Sequence, residues 1–201
     1  MPNTAVFHPS YFPSILQYAM MLQKNPVLFE VNDHFQKQTY RNRCYIYGAN
    51  GKQLLNVPIT KKSGKQVSKD VLVNYDENWQ KEHVKSLISA YKSSPFFEFY
   101  IDDLMPIFTK KEKYLVDLNI AVFQLLNDAI QVEIPFELTA DYQLEFTNDF
   151  RFLVNAKQET NVLFPKYIQV FQEKHSFIPN LSILDLLFNE GPNTEMYLMK
   201  I

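Results

Sequence analysis

The first 31 residues constrain the fold more than any other part of the sequence, because they read as a strand, a helix and a second strand. A short apolar run at Thr4–His8 is typical of a buried strand, and a proline-bounded loop follows it. Ser14 can cap a helix that we predict to continue to about Lys24, and Val27–Val31 is a second short apolar run. A strand–helix–strand unit of this size joins parallel strands. The segment therefore predicts an α/β fold with a parallel pair.

Beyond this unit, the pattern predicts a hairpin, a further strand and four helices. Two runs, Arg43–Tyr47 and Gln53–Ile59, flank a glycine-containing turn, which indicates a hairpin with a loop of four to five residues. Residues 131–165 mix strand and loop character. The other predicted elements are a strand at Asp70–Asn74 and helices at 78–92, Phe96–Leu104, Lys111–Ile130 and Leu181–Asn189, the last capped by Asn180 and ended by Gly191.

These elements predict one domain over residues 1–201, with a central mixed and partly parallel sheet, flanking helices and a β-hairpin. Hydrophobic residues make up 46% of the chain and aromatic residues 15%, which is enough for a packed core. The single cysteine, Cys44, excludes a disulfide framework within the chain. We find no apolar window long enough for a membrane span and no signal peptide, and we expect a cytoplasmic protein.

The scarcity of glycine bears on cofactors. The chain has four glycines, and no two have the spacing of a dinucleotide-binding or P-loop motif. The four histidines lie far apart in sequence, without the spacing of a metal site. We therefore expect neither a cofactor nor a bound metal.

Basic residues are concentrated in one segment. Between Lys37 and Lys69 the chain has eight Lys or Arg and no Asp or Glu, which leaves 12 basic and 22 acidic residues elsewhere. Such asymmetry can create a local field that attracts anions. The segment indicates a site for an anionic small molecule.

His8 is the first candidate site residue. It ends the first predicted strand, and ligands of open α/β sheets bind beyond the carboxyl ends of the strands. There it can act as a general acid or base, or donate a hydrogen bond to a phosphate. The alternative is that it fixes the turn by bonding to the backbone.

The segment Tyr40-Arg41-Asn42-Arg43 is the second candidate. In an extended chain, Arg41 and Arg43 point to the same face, and together with Lys37 they can hold a phosphate or a carboxylate. The alternative is a solvated basic edge strand.

Asp185 is the third candidate, because it lies within a very apolar predicted helix. A carboxylate in such a place needs a partner. We predict an arginine from residues 41–43, either as a buried salt bridge or as part of a polar site. His83 and Cys44 are interpreted as packing residues.

Four stretches together resemble the WbqC-like protein family: His8–Pro13, Gln38–Arg43, Asn78–His83 and Phe177–Pro192. The resemblance covers nearly the whole chain and implies an α/β fold and a role in bacterial surface-polysaccharide (O-antigen-type) biosynthesis. It implies a transferase of acyl or aminoacyl groups to an amino-sugar nucleotide, and whether this chain is an enzyme stays open. The site residues that we predict are His8 and Asp185 as catalytic, and Tyr11, Lys37, Tyr40, Arg41, Asn42 and Arg43 as substrate-binding.

The chain also departs from the family pattern. Many members have HQPxYxP where this chain has His8-Pro9-Ser10, and longer members carry a glycine-rich segment that residues 131–165 lack. The alternative function is therefore a non-catalytic protein that binds an anionic ligand or acts as a scaffold. Binding of single-stranded nucleic acid through Tyr40, Tyr45 and Tyr47 is a further hypothesis. The acidic remainder of the chain argues against it, and we expect no nucleic-acid partner. A homo-oligomer is left open.

Overall fold

The computed structural model describes residues 4–157 and 161–201 and has a mixed α/β fold. Strands β1 (Ala5–Phe7), β2 (Val27–Phe29) and β5 (Phe136–Leu138) form a parallel sheet in the order β1-β2-β5, and β3 (Arg43–Gly48) pairs with β4 (Gly51–Asn56) as an antiparallel hairpin. The helices are α1 (Ile15–Gln23), α2 (Trp79–Tyr91), α3 (Phe97–Thr109), α4 (Leu115–Ile130), α5 (Gln172–His175), α6 (Ile183–Glu190) and α7 (Thr194–Leu198).

The predicted strand–helix–strand unit is confirmed. The hydroxyl of Ser14 accepts a hydrogen bond from the backbone N–H of Gln17 at 3.3 Å and so caps α1. β1 and β2 lie parallel on either side of α1 in sequence, with Phe7 opposite Phe29. Most aromatic and aliphatic side chains of this unit are buried and belong to the main hydrophobic core.

The third parallel strand lies in the segment whose structure the sequence left vague. β5 pairs with β2, with Val27 opposite Phe136. Further along the same segment, the chain runs beside the free edge of β1. There the N–H of Val6 donates to the carbonyl of Asn148, and the N–H of Phe150 donates to the carbonyl of Val6, each at 2.9 Å. A short 3₁₀ helix, Arg151–Val154, follows directly. Residues 136–138 and 148–150 therefore lie at the two opposite edges of the sheet.

Several predicted boundaries were wrong. The hairpin turn has only two residues between Gly48 and Gly51, and Gly51 has a φ of +94°, which favours glycine. No strand forms at Asp70–Asn74, where a 3₁₀ helix at Ser68–Asp70 and isolated bridges occur instead. Helix α3 continues to Thr109 although it contains Pro106, and α4 starts at Leu115 rather than at Lys111.

The last long helix has a different cap from the predicted one. Ser182 caps α6, since its hydroxyl accepts from the N–H of Leu184 at 3.3 Å. Asn180 instead accepts a hydrogen bond from the N–H of Leu16 at 2.9 Å and so joins this loop to α1. Gly191, with a φ of +50°, ends α6 as predicted. Within residues 4–157 and 161–201, no helix combines the length and the apolar character that a membrane span requires.

Candidate functional site

The carboxyl ends of the three parallel strands place polar residues side by side. β1, β2 and β5 are followed directly by His8, Glu30 and Thr139. The Nδ1 atom of His8 lies 3.2 Å from the backbone carbonyl oxygen of Glu30, and the hydroxyl of Thr139 donates to Oε1 of Glu30 at 3.0 Å. His8 therefore lies beyond the carboxyl end of β1, where the sequence placed it.

His8 forms a buried network with Arg41. Nη2 of Arg41 donates to Nε2 of His8 at 2.7 Å and to Oδ2 of Asp33 at 2.8 Å. Nη1 of Arg41 donates to the hydroxyl of Ser68 at 3.0 Å, and this hydroxyl donates to Oδ1 of Asp33 at 2.6 Å. A guanidinium can only donate, so Nε2 of His8 accepts and the ring proton is on Nδ1, where it bonds to the carbonyl of Glu30.

This network keeps His8 neutral. Burial, followed by the nearby charge of Arg41, lowers the pKa of His8 from 6.5 to about 3. Burial also lowers the pKa of Arg41, against the opposing effect of Asp33. The lone pair of Nε2, which a general base would use, is engaged by Arg41 in this state.

The network forms one wall of an open cleft of about 500 Å³, here called the His8 cleft. Its lining includes His8 and four charged residues, Asp33, Arg41, Asp149 and Arg151. The lining also includes the apolar side chains of Leu144, Phe152 and Val154 and the ring of Tyr142. The 3₁₀ helix Arg151–Val154 thus supplies both a charge and apolar surface to the cleft.

Asp149 and Arg151 form a second ion pair in the cleft. Nη2 of Arg151 donates to Oδ2 of Asp149 at 2.6 Å, and Nε donates to Oδ1 at 2.9 Å. Burial alone would raise the pKa of Asp149, but the hydrogen bonds from Arg151 outweigh it and lower that pKa. The side chain of Asp149 is 34% exposed, whereas that of Asp33 is 11% exposed. Asp149 is therefore the more accessible of the two carboxylates.

Glu30 lies behind the cleft and is fully buried. Its Oε1 accepts from the N–H of Asn32 at 2.7 Å, while its Oε2 lies 3.9 Å from Nη1 of Arg151 and has no hydrogen-bond partner in the described part of the chain. Three carboxylates thus face two guanidiniums, which gives these five side chains a formal charge of −1.

Sequence reasoning missed four of these five residues: Glu30, Asp33, Asp149 and Arg151. Glu30 had a detectable signal, because a carboxylate within an apolar strand, at the same sheet edge as His8, is costly unless it has partners. Asp149 and Arg151 had none, since the strand pairing that positions them joins residues more than 140 positions apart.

Arg41 and Arg43 do not share a face, so that prediction was wrong. Arg41 lies in a turn before β3, whereas Arg43 is the first residue of β3, is half-buried and does not line the His8 cleft. Asn42, which lies between them, donates through Nδ2 to the carbonyl of Val57 at 2.9 Å and supports the start of the hairpin. Lys37 is exposed and does not line the cleft.

Tyr11 and Tyr40 are buried. The hydroxyl of Tyr11 bonds to Nδ1 of His83 at 2.9 Å, and burial lowers the pKa of His83 to about 4. The carbonyl of Tyr40 accepts from the N–H of Tyr11 at 3.0 Å. Tyr47, proposed with Tyr40 as a stacking surface for nucleic acid, is fully buried and its hydroxyl bonds to the carbonyl of Ser176 at 2.6 Å.

The prediction of an arginine partner for Asp185 was wrong. Asp185 is fully buried and accepts hydrogen bonds from the hydroxyls of Tyr91 at 2.8 Å and Tyr167 at 2.5 Å, and from Nε2 of Gln169 at 2.8 Å. Burial raises the pKa of Asp185, and these hydrogen bonds oppose that change. The network joins α6 to α2 and to the segment before α5, and none of its members lines the His8 cleft.

The basic segment is dispersed in the structure. Lys61, Lys62 and Lys65 are exposed on the loop after the hairpin, and Lys69 donates to Oδ1 of Asn32 at 2.7 Å. Only Arg41 of the eight basic residues lines the His8 cleft. Among the residues that the structure describes, no three His, Cys, Asp or Glu side chains are grouped so that they could hold a metal ion.

Comparison with known proteins gave one result that covers most of the chain. The sequence model of the WbqC-like protein family matches residues 8–162 and 156–197. Neither the curated proteins nor the solved structures gave a match. The matched ranges include strands β2 and β5 of the parallel sheet, every charged residue of the His8 cleft and helix α6. The chain belongs to the WbqC-like protein family.

Proposed function

We propose that the protein takes part in bacterial surface-polysaccharide biosynthesis, as a transferase that attaches an acyl or aminoacyl group to the amine of an amino-sugar nucleotide. The observation that carries the proposal is the His8 cleft, where an accessible carboxylate, a neutral histidine and two guanidiniums lie at the carboxyl ends of parallel strands. Membership of the WbqC-like family supports the same role.

The charge of the cleft suits an amine. Its guanidiniums are already paired with carboxylates, so the four charged lining residues sum to zero, and the buried Glu30 behind them brings the formal charge to −1. Asp149, as the more exposed carboxylate, is the residue that we assign to the amino group of the sugar. The apolar side of the cleft, with Tyr142 and Phe152, can pack against the faces of a sugar ring.

His8 and Arg41 supply the chemistry in this proposal. An oxygen atom of the acyl donor that takes the hydrogen bond of Arg41 Nη2 would release Nε2 of His8. Arg41 would polarise the acyl carbonyl while the amine attacks it, and His8 would accept the proton of the amine as the C–N bond forms. The bond between the acyl carbon and the leaving group of the donor would then break, and His8 would return the proton to that leaving group. The bond from Nδ1 to the carbonyl of Glu30 would hold the imidazole in the tautomer that this step needs.

The other predicted site residues have a weaker place in this mechanism. Asp185, Tyr11 and Asn42 bond to protein groups outside the cleft, so we propose structural roles for them. Arg43, Lys37 and Tyr40 do not line the cleft, and any contact with the substrate would be outside it.

A non-catalytic binding protein is the second candidate, and the state of His8 favours it. With a pKa of about 3 and its Nε2 engaged by Arg41, His8 is a weak base before a ligand binds. A protein that only binds the amino-sugar nucleotide would need the carboxylates of the cleft but no free base.

The test compares two ligands that differ in one amine. Uridine diphosphate glucosamine and uridine diphosphate glucose are titrated by calorimetry against the wild type and Asp149→Asn. We expect the wild type to bind the amine-bearing ligand about tenfold more tightly, as for a charged hydrogen bond, and the variant to lose this preference.

Asp102→Asn is the matched control, because it removes an exposed carboxylate from α3, outside the cleft. Equal affinity of the wild type for the two ligands would contradict the proposed substrate. Mass spectrometry after incubation with an acyl-coenzyme A then separates the two candidates. An acylated sugar nucleotide supports the transferase, and preferential binding without product supports the binding protein.

A further inference from the structure

A second depression in the surface is lined by positive charge. It is a groove of about 630 Å³, here called the lysine groove, and its charged lining residues are Lys52, Lys157 and Lys166. Among the residues that the structure describes, no Asp or Glu lines it. Within residues 4–157 and 161–201, none of these three lysines has a carboxylate within salt-bridge distance. Their positive charges are therefore available to a ligand.

The walls of the lysine groove are apolar and partly aromatic. Phe164 and Phe177 line it and are half-buried, and Leu163 lines it with 91% of its surface exposed. An apolar side chain that is exposed beside three lysines favours a ligand that has both anionic and flat apolar parts. A nucleobase attached to a diphosphate has this combination, since its ring can stack on an aromatic side chain while ammonium groups hold the phosphates.

The groove and the His8 cleft adjoin the same small hollow. This hollow is lined by Tyr40 and Asn180, which also line the groove, and by Phe152 and Asn155, which also line the cleft. A ligand with one end in each depression would cross this hollow. A sugar nucleotide has its anionic diphosphate at one end of the sugar and its amine on the sugar itself, which matches a positive groove beside a cleft with an accessible carboxylate, Asp149.

We propose that the lysine groove binds the nucleoside diphosphate part of the substrate, with the phosphates on Lys52, Lys157 and Lys166 and the base against Phe164 or Phe177. The inference rests on the proposed function for the identity of the whole ligand. It differs from it in the residues concerned, because none of these five lines the His8 cleft. Of the three lysines, Lys52 belongs to the basic segment, whereas Lys157 and Lys166 lie outside it.

The test uses uridine diphosphate alone as the probe, titrated by calorimetry against the full chain. The triple variant Lys52→Gln, Lys157→Gln, Lys166→Gln is expected to bind it at least about tenfold more weakly than the wild type. The matched control is Lys61→Gln, Lys62→Gln, Lys65→Gln, which removes the same charge from an exposed loop outside the groove. The control is expected to bind like the wild type.

Three outcomes would overturn the inference. The first is no detectable binding of uridine diphosphate to the wild type at millimolar concentration. The second is equal weakening in the two triple variants, which would show only an effect of net charge. The third is that the wild type binds vesicles with anionic lipid but not the nucleotide, and that the groove variant no longer binds the vesicles. The exposed apolar side chain would then contact a membrane surface.

The same measurements distinguish this inference from the proposed function. If the groove variant loses affinity for uridine diphosphate while the wild type shows no preference for the amine-bearing sugar nucleotide, the inference about the groove is supported and the assignment of the cleft is contradicted. If Asp149→Asn removes the amine preference while the groove variant binds uridine diphosphate normally, the cleft stands and the groove fails.

Discussion

The His8 cleft and the lysine groove adjoin one another, but their charged side chains are paired in the cleft and unpaired in the groove. In the cleft, Arg41 faces Asp33 and Arg151 faces Asp149, at 2.8 and 2.6 Å. In the groove, three lysines line an opening that has no carboxylate among its described lining residues. The difference follows burial, because a charge removed from water is costly unless it has a partner, whereas an exposed ammonium keeps its hydration.

This comparison changes how the basic segment is understood. The count of eight basic residues without an acid predicted an anion site around Arg41 and Arg43. Arg41 is instead a buried partner of Asp33, with a side chain 5% exposed. Lys157 and Lys166, which line the groove, come from the acidic remainder of the chain. Accessible charge, rather than charge per length of sequence, decides where an anion can bind.

The largest effect should come from breaking the buried pair of the cleft. Arg41→Ala leaves Asp33 buried without its guanidinium and removes the donor to His8. We expect the free energy of unfolding to fall by about 3–5 kcal/mol, as for one partner lost from a buried ion pair. Urea unfolding followed by tryptophan fluorescence, with Trp79 buried in the core, measures it.

The control for this prediction replaces both partners. Arg41→Met combined with Asp33→Leu removes the two charges together and should recover most of the lost stability, because no buried charge is left alone. A loss below about 1 kcal/mol in Arg41→Ala would mean that the cleft pair is as dispensable as a surface pair, and the contrast with the groove would disappear.

Acidification should affect the cleft and leave the lysines charged. The pKa of His8 is lowered from 6.5 to about 3 in the folded protein, so below pH 6.5 only the unfolded state takes up the proton. Stability is therefore complete above pH 6.5 and falls as the pH drops, by about 1.4 kcal/mol per pH unit, or about 2 kcal/mol by pH 5. His83, with its pKa lowered to about 4, adds a similar loss.

Urea unfolding at several pH values between 7.5 and 5 measures this slope, in a range where most carboxylates stay ionised. His8→Asn should remove about half of the slope, and His83→Asn about the other half. An unchanged slope in His8→Asn would mean that the imidazole is protonated in the folded state, and the assignment of its tautomer would then fail.

The first strand–helix–strand unit was predictable because all of its signals are local. Short apolar runs, the cap at Ser14 and the intervening helix each follow from neighbouring residues, and they placed His8 at the sheet edge. The same local reasoning placed the hairpin and four helices, with errors at their ends.

The rest of the site depended on pairings between distant residues. The ion pair Arg151–Asp149 is local in sequence, but its place beside His8 results from the bridge between Val6 and Asp149. The partners of Asp185 come from α2 and from residues 167–169, which no periodic pattern connects to α6. A buried carboxylate could be predicted from its apolar neighbours, whereas the identity of its partners could not.

The smallest effect should come from a single lysine of the groove. Nζ of Lys52 lies 4.2 Å from the ring centroid of Tyr45, and burial lowers the pKa of Lys52. Lys52→Met keeps the apolar stem but removes the charge. We expect a loss of about 0.5–1 kcal/mol in stability, as for an exposed cation–π contact. We also expect the affinity for uridine diphosphate to fall about two- to fivefold, as for the loss of one exposed ionic contact.

Lys61→Met is the matched control, because Lys61 is exposed and lies outside the groove. Its stability and affinity should equal those of the wild type. If both single variants bound uridine diphosphate equally more weakly than the wild type, the affinity would depend on the total charge of the protein. The groove would then not differ from any other lysine-bearing surface. If only Lys52→Met did so, while its stability changed far less than that of Arg41→Ala, the two regions would be separated by experiment as they are by burial. The paired charges would then maintain the fold of the cleft, and the unpaired charges would hold the ligand.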